Sequence, residues 1–400
     1  MSGNNTDGGN GDAGRRSIDR RMFLTGSIGA ATATAVSRWS PALALGAPAP
    51  ADSVSSPRVL VDWHSHFVSN AEMKLFASRR EAPRLVTGSD GVLRLQNVTT
   101  ASAAVDGPND FSPSDIPARI RHLEKNGIQR QLLTQTVALG LDASLPLDEL
   151  RPLFRAFNDE LAQVVRQHPD RFLAVAALPS GDPEWASQEL KRAHHELGFI
   201  GGSLPLNAFA TLEGARTLAP LFATAQGLGS HFFVHRAPAS PVIPGQPPIV
   251  VPGDTGYARW ILISDTHLAA GAITLGLTDF LDPYPNVSVQ IVMLGGFLPY
   301  LIDAVVPAAE RAGVDEPLAK LRRLYIDPGP YSRIGDWVEL AASKLGADRI
   351  LFGTDYGVNG GTRGDVAPAL ETLDRALTPA QRQLIYVDNS RALLKSKGRV

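Results

Sequence analysis

The chain has 400 residues, of which 44% are hydrophobic and 20% charged, with a formal net charge of −2. That is the make-up of an ordinary globular protein, and it gives no electrostatic basis for binding nucleic acid or an anionic membrane surface. With no cysteine, disulfides, thiolate metal sites and a cysteine nucleophile are excluded, so any metal must be held by carboxylates and the nine histidines.

In chain order, residues 1–14 are rich in Gly, Asn and Asp, a disordered composition. Asp19-Arg20-Arg21-Met22-Phe23-Leu24 follows, then a mildly apolar stretch from Gly26 to Val36 and small residues from Pro41 to Ala47. The order resembles a twin-arginine export signal cleaved after Ala44 or Ala47, although Asp19 and Thr25 depart from the usual Ser/Thr and Lys. The expectation is a disordered N-terminus and signal over residues 1–50, export to the periplasm or beyond, and one folded domain over residues 57–397. No later segment approaches the roughly 18 uninterrupted apolar residues of a membrane span, so no stable membrane anchor is expected.

From Arg58 onward, short β-branched or aromatic runs alternate with helical patterns. Strands are predicted at Arg58–Trp63, Ile128–Thr134, Phe172–Leu178, Phe199–Leu204, His231–Val234, Val287–Met293, Leu324–Ile326 and Arg349–Phe352. Between them Leu150–Gln167, Trp185–Leu197 and Leu218–Gly227 carry apolar residues three to four apart, the period of a half-buried helix. Eight such units point to an α/β fold, a (β/α)8 TIM barrel, with an insertion at about 67–117. The insertion holds a hairpin pattern, Leu85-Val86-Thr87 and Val92 to Leu95 around Gly88-Ser89-Asp90-Gly91. A Pro/Gly-rich segment, Ala237–Gly256, follows the fifth strand, and both segments are expected to overhang the strands' C-terminal ends. There is no internal repeat, P-loop or dinucleotide fingerprint.

The informative residues fall at those ends. His64 and His66 close the first strand two residues apart, so they share a face and can grip one ion. An H-x-H pair alone is a modest signal. His235 ends the fifth strand, and Asp355 follows the eighth in Phe352-Gly353-Thr354-Asp355. In a closed barrel such ends converge on one face, whereas an open sheet would hold the first and eighth far apart. Three imidazoles and a carboxylate suit Zn2+, with Mn2+, Fe2+ or Co2+ as alternatives. Arg236, with Arg79 and Arg80 behind it, is a candidate anchor for an anionic substrate. Asp327 ends the seventh strand, and Trp63, Phe67 and Tyr356 are candidate pocket walls.

Several segments in sequence then carry a resemblance. They are Asp62–His66, Asn158 with His168-Pro169-Asp170-Arg171-Phe172, Ala177-Leu178-Pro179 and Glu196 to Gly201. Phe233-Val234-His235, Leu294 to Tyr300, Phe352–Asp355 and Asp388-Asn389-Ser390-Arg391 complete the set. In this order the chain resembles the amidohydrolase-related branch of the amidohydrolase superfamily, which includes aminocarboxymuconate-semialdehyde decarboxylase. The resemblance implies a TIM barrel and one divalent metal on His64, His66, His235 and Asp355. Gly198–Leu204 has no Lys to bridge a second ion. The chain departs from the pattern at Met293, where the family usually places a His as general base before Leu-Gly-Gly. A thioether cannot shuttle protons. Asp355 then becomes the sole acid/base. His267 in a helix and His231 at the wrong end of its strand are poor replacements, and loss of turnover is the remaining explanation. The leading expectation is a metal-dependent carboxy-lyase acting on a small organic or aromatic carboxylate. The alternatives are a metal-dependent hydrolase of an ester, lactone or amide, and a non-catalytic metal- or ligand-binding barrel. A small-molecule substrate is the expected partner, and the resemblance allows a homodimer.

Overall fold

The computed structural model describes residues 57–96, 111–248, 257–357 and 366–399. The signal-like segment therefore lies outside the described residues, as do parts of both loop insertions.

Eleven strands are present among these residues. β1 (Val59–Asp62) and β2 (His66–Phe67) flank the histidine pair, and β3 (Arg84–Thr87) with β4 (Leu93–Gln96) form the antiparallel hairpin. β5 (Ile128–Gln135), β6 (Phe172–Ala174), β7 (Ala176–Ala177) and β8 (Gly201–Pro205) follow, then β9 (His231–His235), β10 (Ser288–Ile291) and β11 (Tyr325–Ile326). Outside the hairpin every pairing is parallel. Helices fill the connections, so the chain is α/β with parallel sheets.

The strand predicted over Phe172–Leu178 is divided at Val175. β6 pairs with β5 and β7 pairs with β8, while the amide of Val175 still donates to Leu133. The strand predicted over Arg349–Phe352 is shorter still. Ile350 bridges Ile326, Leu351 N donates to Ile326 O, and Trp63 N donates to Phe352 O. These bonds nevertheless join β11 to the 350–352 segment and that segment to β1.

The joint between the first and last segments is reinforced by Asp62. Its carboxylate accepts from the backbone N–H of His64 and Thr354, from Thr354 Oγ1 at 2.7 Å and from Gln131 Nε2 at 2.7 Å. Asp62 is fully buried, and burial raises its carboxyl to about 6 against those four hydrogen bonds. On the outer side the helix Leu147–Gln167 buries Leu150, Leu153, Phe154, Phe157 and Leu161. Asn158 pins it there, bonding both the N–H and C=O of Ala177. The helix Ala219–Leu228 ends where Gly229 takes φ +63°, a conformation that L side chains rarely adopt.

Among the described residues, the helix Tyr257–Leu277 bears on the membrane expectation, and Arg259, Asp265 and His267 interrupt its apolar residues. Its Ala258–Leu277 stretch is long and apolar enough to cross a membrane by length and composition. Half of the window is buried in the protein, as in the core helix of many water-exposed folds.

Replacing Asp62 by Ala leaves four donors without this acceptor, those of His64 and Gln131 fully buried, and a loss of about 3 kcal/mol or more is expected. Urea unfolding measures it. Because the folded carboxyl titrates above its unfolded value near 4, the folded state binds the proton more tightly. The advantage of the parent over Asp62→Ala therefore shrinks as pH rises from 4 through 6.

Candidate metal centre

His64 and His66 leave β1 and enter β2 on one face, and His235 is the last residue of β9. Asp355 reaches them from the end of the 350–352 segment through its own backbone. Its N–H donates to His64 O at 2.9 Å, and His66 N donates to Tyr356 O at 2.7 Å. Asp355 has φ +61°, a left-handed conformation that Asp tolerates better than most residues. One ligand atom from each of the four residues lies within 4.8 Å of the others, and all four are buried.

Hydrogen bonding fixes what those atoms present. His64 Nδ1 lies 2.6 Å from Asp327 Oδ1, and an ionised carboxylate only accepts, so Nδ1 carries the proton. His235 Nδ1 donates to the carbonyl of Arg236 at 3.1 Å. Thr134 Oγ1 donates to Ser65 O, which leaves its oxygen to accept from His66 Nδ1 at 3.2 Å. In its neutral form each ring therefore turns an Nε2 lone pair toward the common point. His64 Nε2 and His235 Nε2 are buried without any hydrogen-bond partner. His66 Nε2 and His64 Nε2 face Asp355 Oδ1 at 3.1 and 3.3 Å. Lone pairs opposed to a carboxylate repel unless a cation lies among them, so the donor set fits a divalent metal.

The titration tendencies put a positive charge at the same point, as a proton on His64. Burial works against a charge on His64, but Asp327 and Asp355 outweigh it and raise the ring to about 10. Burial holds His66 below its ordinary value and His235 well below it, so both stay neutral and able to coordinate. Burial would raise Asp355, yet His64 and His66 keep it well below the carboxylate range. The rings meet nearly at right angles, with centroids between 4.9 and 5.3 Å apart. Phe233 lies against His64 at 5.2 Å. The His64–Asp327 contact also needs bare backbone beside it. A Cβ at Gly353 would stand 2.8 Å from Asp327 Oδ1 and from His64 Cβ, and one at Gly329 2.9 Å from His64 Nδ1.

Other candidates fall elsewhere. Trp63 is fully buried and donates from Nε1 to Ser390 Oγ at 2.9 Å, so it does not line a pocket. The Trp63 ring also meets the His231 imidazole edge-on. Phe67 packs on Phe157, and Tyr356 lies against His122 and under the Arg119 guanidinium. Asp327 is fully buried between His64 and Gln290, which makes it a support for His64 rather than a substrate contact. Met293 is buried with φ +54°. Arg236 is half-buried, donates to Ser264 Oγ and lies over the Trp260 ring. Arg79 pairs with Glu149, and Arg80 is exposed. Sequence reasoning did not single out Thr134 and Gln290. Gln290 left a trace, as a polar residue sharing alternation with Ser288 inside an apolar run.

Comparisons with known proteins give the family. Gamma-resorcylate decarboxylase of Rhizobium radiobacter is 28% identical over 311 residues, covering 70% of this chain and 87% of that protein. The enzyme of the same name from Rhodococcus jostii is 26% identical over 305 residues, covering 69% and 86%. Among solved structures, 5-carboxyvanillate decarboxylase of Sphingomonas paucimobilis superposes with a TM-score of 0.64 at 18% identity, covering 84% of this chain and 99% of that one. A dihydroxybenzoic acid decarboxylase from Polaromonas, with bound manganese and 2-nitroresorcinol, gives 0.60 at 21%, covering 84% and 97%. The Amidohydrolase family model matches residues 61–395, and the chain belongs to that family.

Proposed function

We propose that this protein is a metal-dependent decarboxylase of a small, hydroxylated aromatic carboxylate, with His64, His66, His235 and Asp355 holding one divalent ion. The observation that carries the reading is the convergence of three Nε2 atoms on a buried carboxylate, two of them without a hydrogen-bond partner. The names of the relatives supply the reaction class. Three nitrogens and an oxygen suit Zn2+, and manganese in the Polaromonas enzyme makes Mn2+ the second choice. We read the circuit of parallel strands as a closed (β/α)8 barrel with residues 67–117 inserted after its first strand. We also read Arg20-Arg21 and the apolar stretch after them as an export signal.

The ion's contribution would be to polarise a substrate oxygen. The chain's own part begins with Asp327, which fixes the His64 ring and its tautomer through Nδ1. His235 and His66 are fixed likewise by Arg236 O and Thr134 Oγ1. Decarboxylation breaks the ring-carbon–carboxylate bond and forms a carbon–hydrogen bond, so one proton must reach that carbon as CO2 departs. Met293 carries no transferable proton. Asp355, ionised at the centre of the cluster, is assigned that transfer: it takes the proton of the substrate's own ring hydroxyl and passes it to the carbon, leaving the product as its phenolate.

The full chain, loaded with Zn2+ or Mn2+, is expected to release CO2 from 2,6-dihydroxybenzoate or 5-carboxyvanillate. A chelator should stop the reaction and added metal restore it. Metal-loaded protein inert toward a panel of such acids, yet active on esters, lactones or amides, would replace this reading with the hydrolase. Asp327→Asn sets an amide N–H2 against Gln290 Nε2 and removes the charge beside His64. A loss of metal affinity of about 10- to 100-fold is expected by chelator competition. Met293→His restores a titratable ring at a left-handed position that His accepts better than most residues. We expect kcat to rise by about 10-fold or more, since a positioned acid–base group is worth roughly 10²–10⁴. An unchanged kcat would leave proton transfer with Asp355.

A further inference from the structure

Asp327 is bonded on both oxygens, and its second bond leads away from the histidines. Gln290 Nε2 donates to Asp327 Oδ2 at 2.6 Å and to the carbonyl oxygen of Trp63 at 3.2 Å. Carboxylate and carbonyl can only accept, so the amide N–H2 of Gln290 must face them and its Oε1 must point the other way. There it lies 3.1 Å from His231 Nε2, which therefore carries the proton. His231 Nδ1 is left to accept from Ser288 Oγ at 3.0 Å. The pairing of β9 with β10 sets Ser288 opposite His231, with Gln290 two residues on and so on the same side. Asp327, Gln290 and His231 are all fully buried, and the Trp63 ring meets the His231 imidazole edge-on at 5.3 Å.

We infer that Gln290 and His231 are positioning residues for the metal site, forming with Ser288 a hydrogen-bonded column of single polarity that ends on Asp327. Every donor in it points toward that carboxylate, and His64 meets it from the opposite side. A reversed Gln290 would set its carbonyl against the Asp327 carboxylate and its N–H2 against the His231 N–H. Asp327 thus has both oxygens committed, and the His64 ring has one permitted orientation. The inference rests on the reading of the four clustered residues as a metal site and assigns that site a support reaching through the interior of the strands.

The test is a double-mutant cycle read in metal affinity, with Zn2+ competed against a chromophoric chelator. Gln290→Met keeps the length of the side chain and removes its hydrogen bonds. Its Kd for Zn2+ should rise by about 10-fold or more, within the range for partners that orient metal ligands. In the Asp327→Asn background the same change should add little, because Gln290 acts through Asp327. In 15N-histidine-labelled protein without metal, His231 should show the Nε2–H tautomer. A Gln290→Met Kd within about two-fold of the parent, an equal loss in both backgrounds, or an Nδ1–H His231 would overturn the inference. A parent chain that binds no Zn2+ overturns the metal-site reading itself, an outcome seen before any variant is made. If Gln290→Met does not fold, His231→Phe keeps a ring against Trp63 and removes the donor. A smaller loss of affinity that disappears in the Asp327→Asn background supports the column, and no loss overturns it.

Discussion

The site depends on the meeting of the chain's first and last strand segments. Trp63 N to Phe352 O, Asp355 N to His64 O and His66 N to Tyr356 O stitch them together residue by residue. Asp62 then ties both to β5 through Gln131. The histidine pair and the carboxylate lie almost 300 positions apart in sequence, and local preference cannot bring them together. Only the pairing of the two segments does so, and it fixes register as well as proximity. A one-residue slip would turn His64 and His66 away and present Trp63 and Ser65 instead.

Much of this was legible before the structure. The two-residue spacing of His64 and His66 stated their common face, and the apolar runs before His235 and Asp355 put those residues at strand ends. Asp327 was recognised as a strand-end carboxylate, but its role depends on a contact with His64, 263 residues away, which no local pattern contains. Gln290 is the clearest omission. An alternating polar residue within Val287–Met293 marks an inward side chain with a partner, but sequence does not name the partner. The division at Val175 and the brevity of the last strand escaped for a related reason. Composition reports that a segment is extended and buried, not which neighbour receives each of its bonds.

The cluster is unfavourable by itself. Four buried groups present lone pairs or negative charge to one another, and those groups favour a cation: a proton on His64 relieves the conflict, and a divalent ion relieves more of it. Burial sharpens that preference by depressing His66 and His235, which remain neutral donors while Asp355 remains ionised. Selectivity for a cation is therefore set by hydrogen bonds on the far side of each ring as much as by the nitrogens that face the centre.

That requirement explains why so much polar material lies where apolar residues would pack with less penalty. Asp62, Gln131, Gln290, His231 and Asp327 are all fully buried. A half-satisfied network of this kind would destabilise the fold, whereas one in which every donor finds an acceptor holds a unique geometry. The glycines at 329 and 353 contribute by absence, since a methyl group at either would crowd the His64–Asp327 contact. The interior is thus ordered around the orientation of one imidazole. A change that made this region more apolar could leave the fold intact and still cost the metal centre its aim.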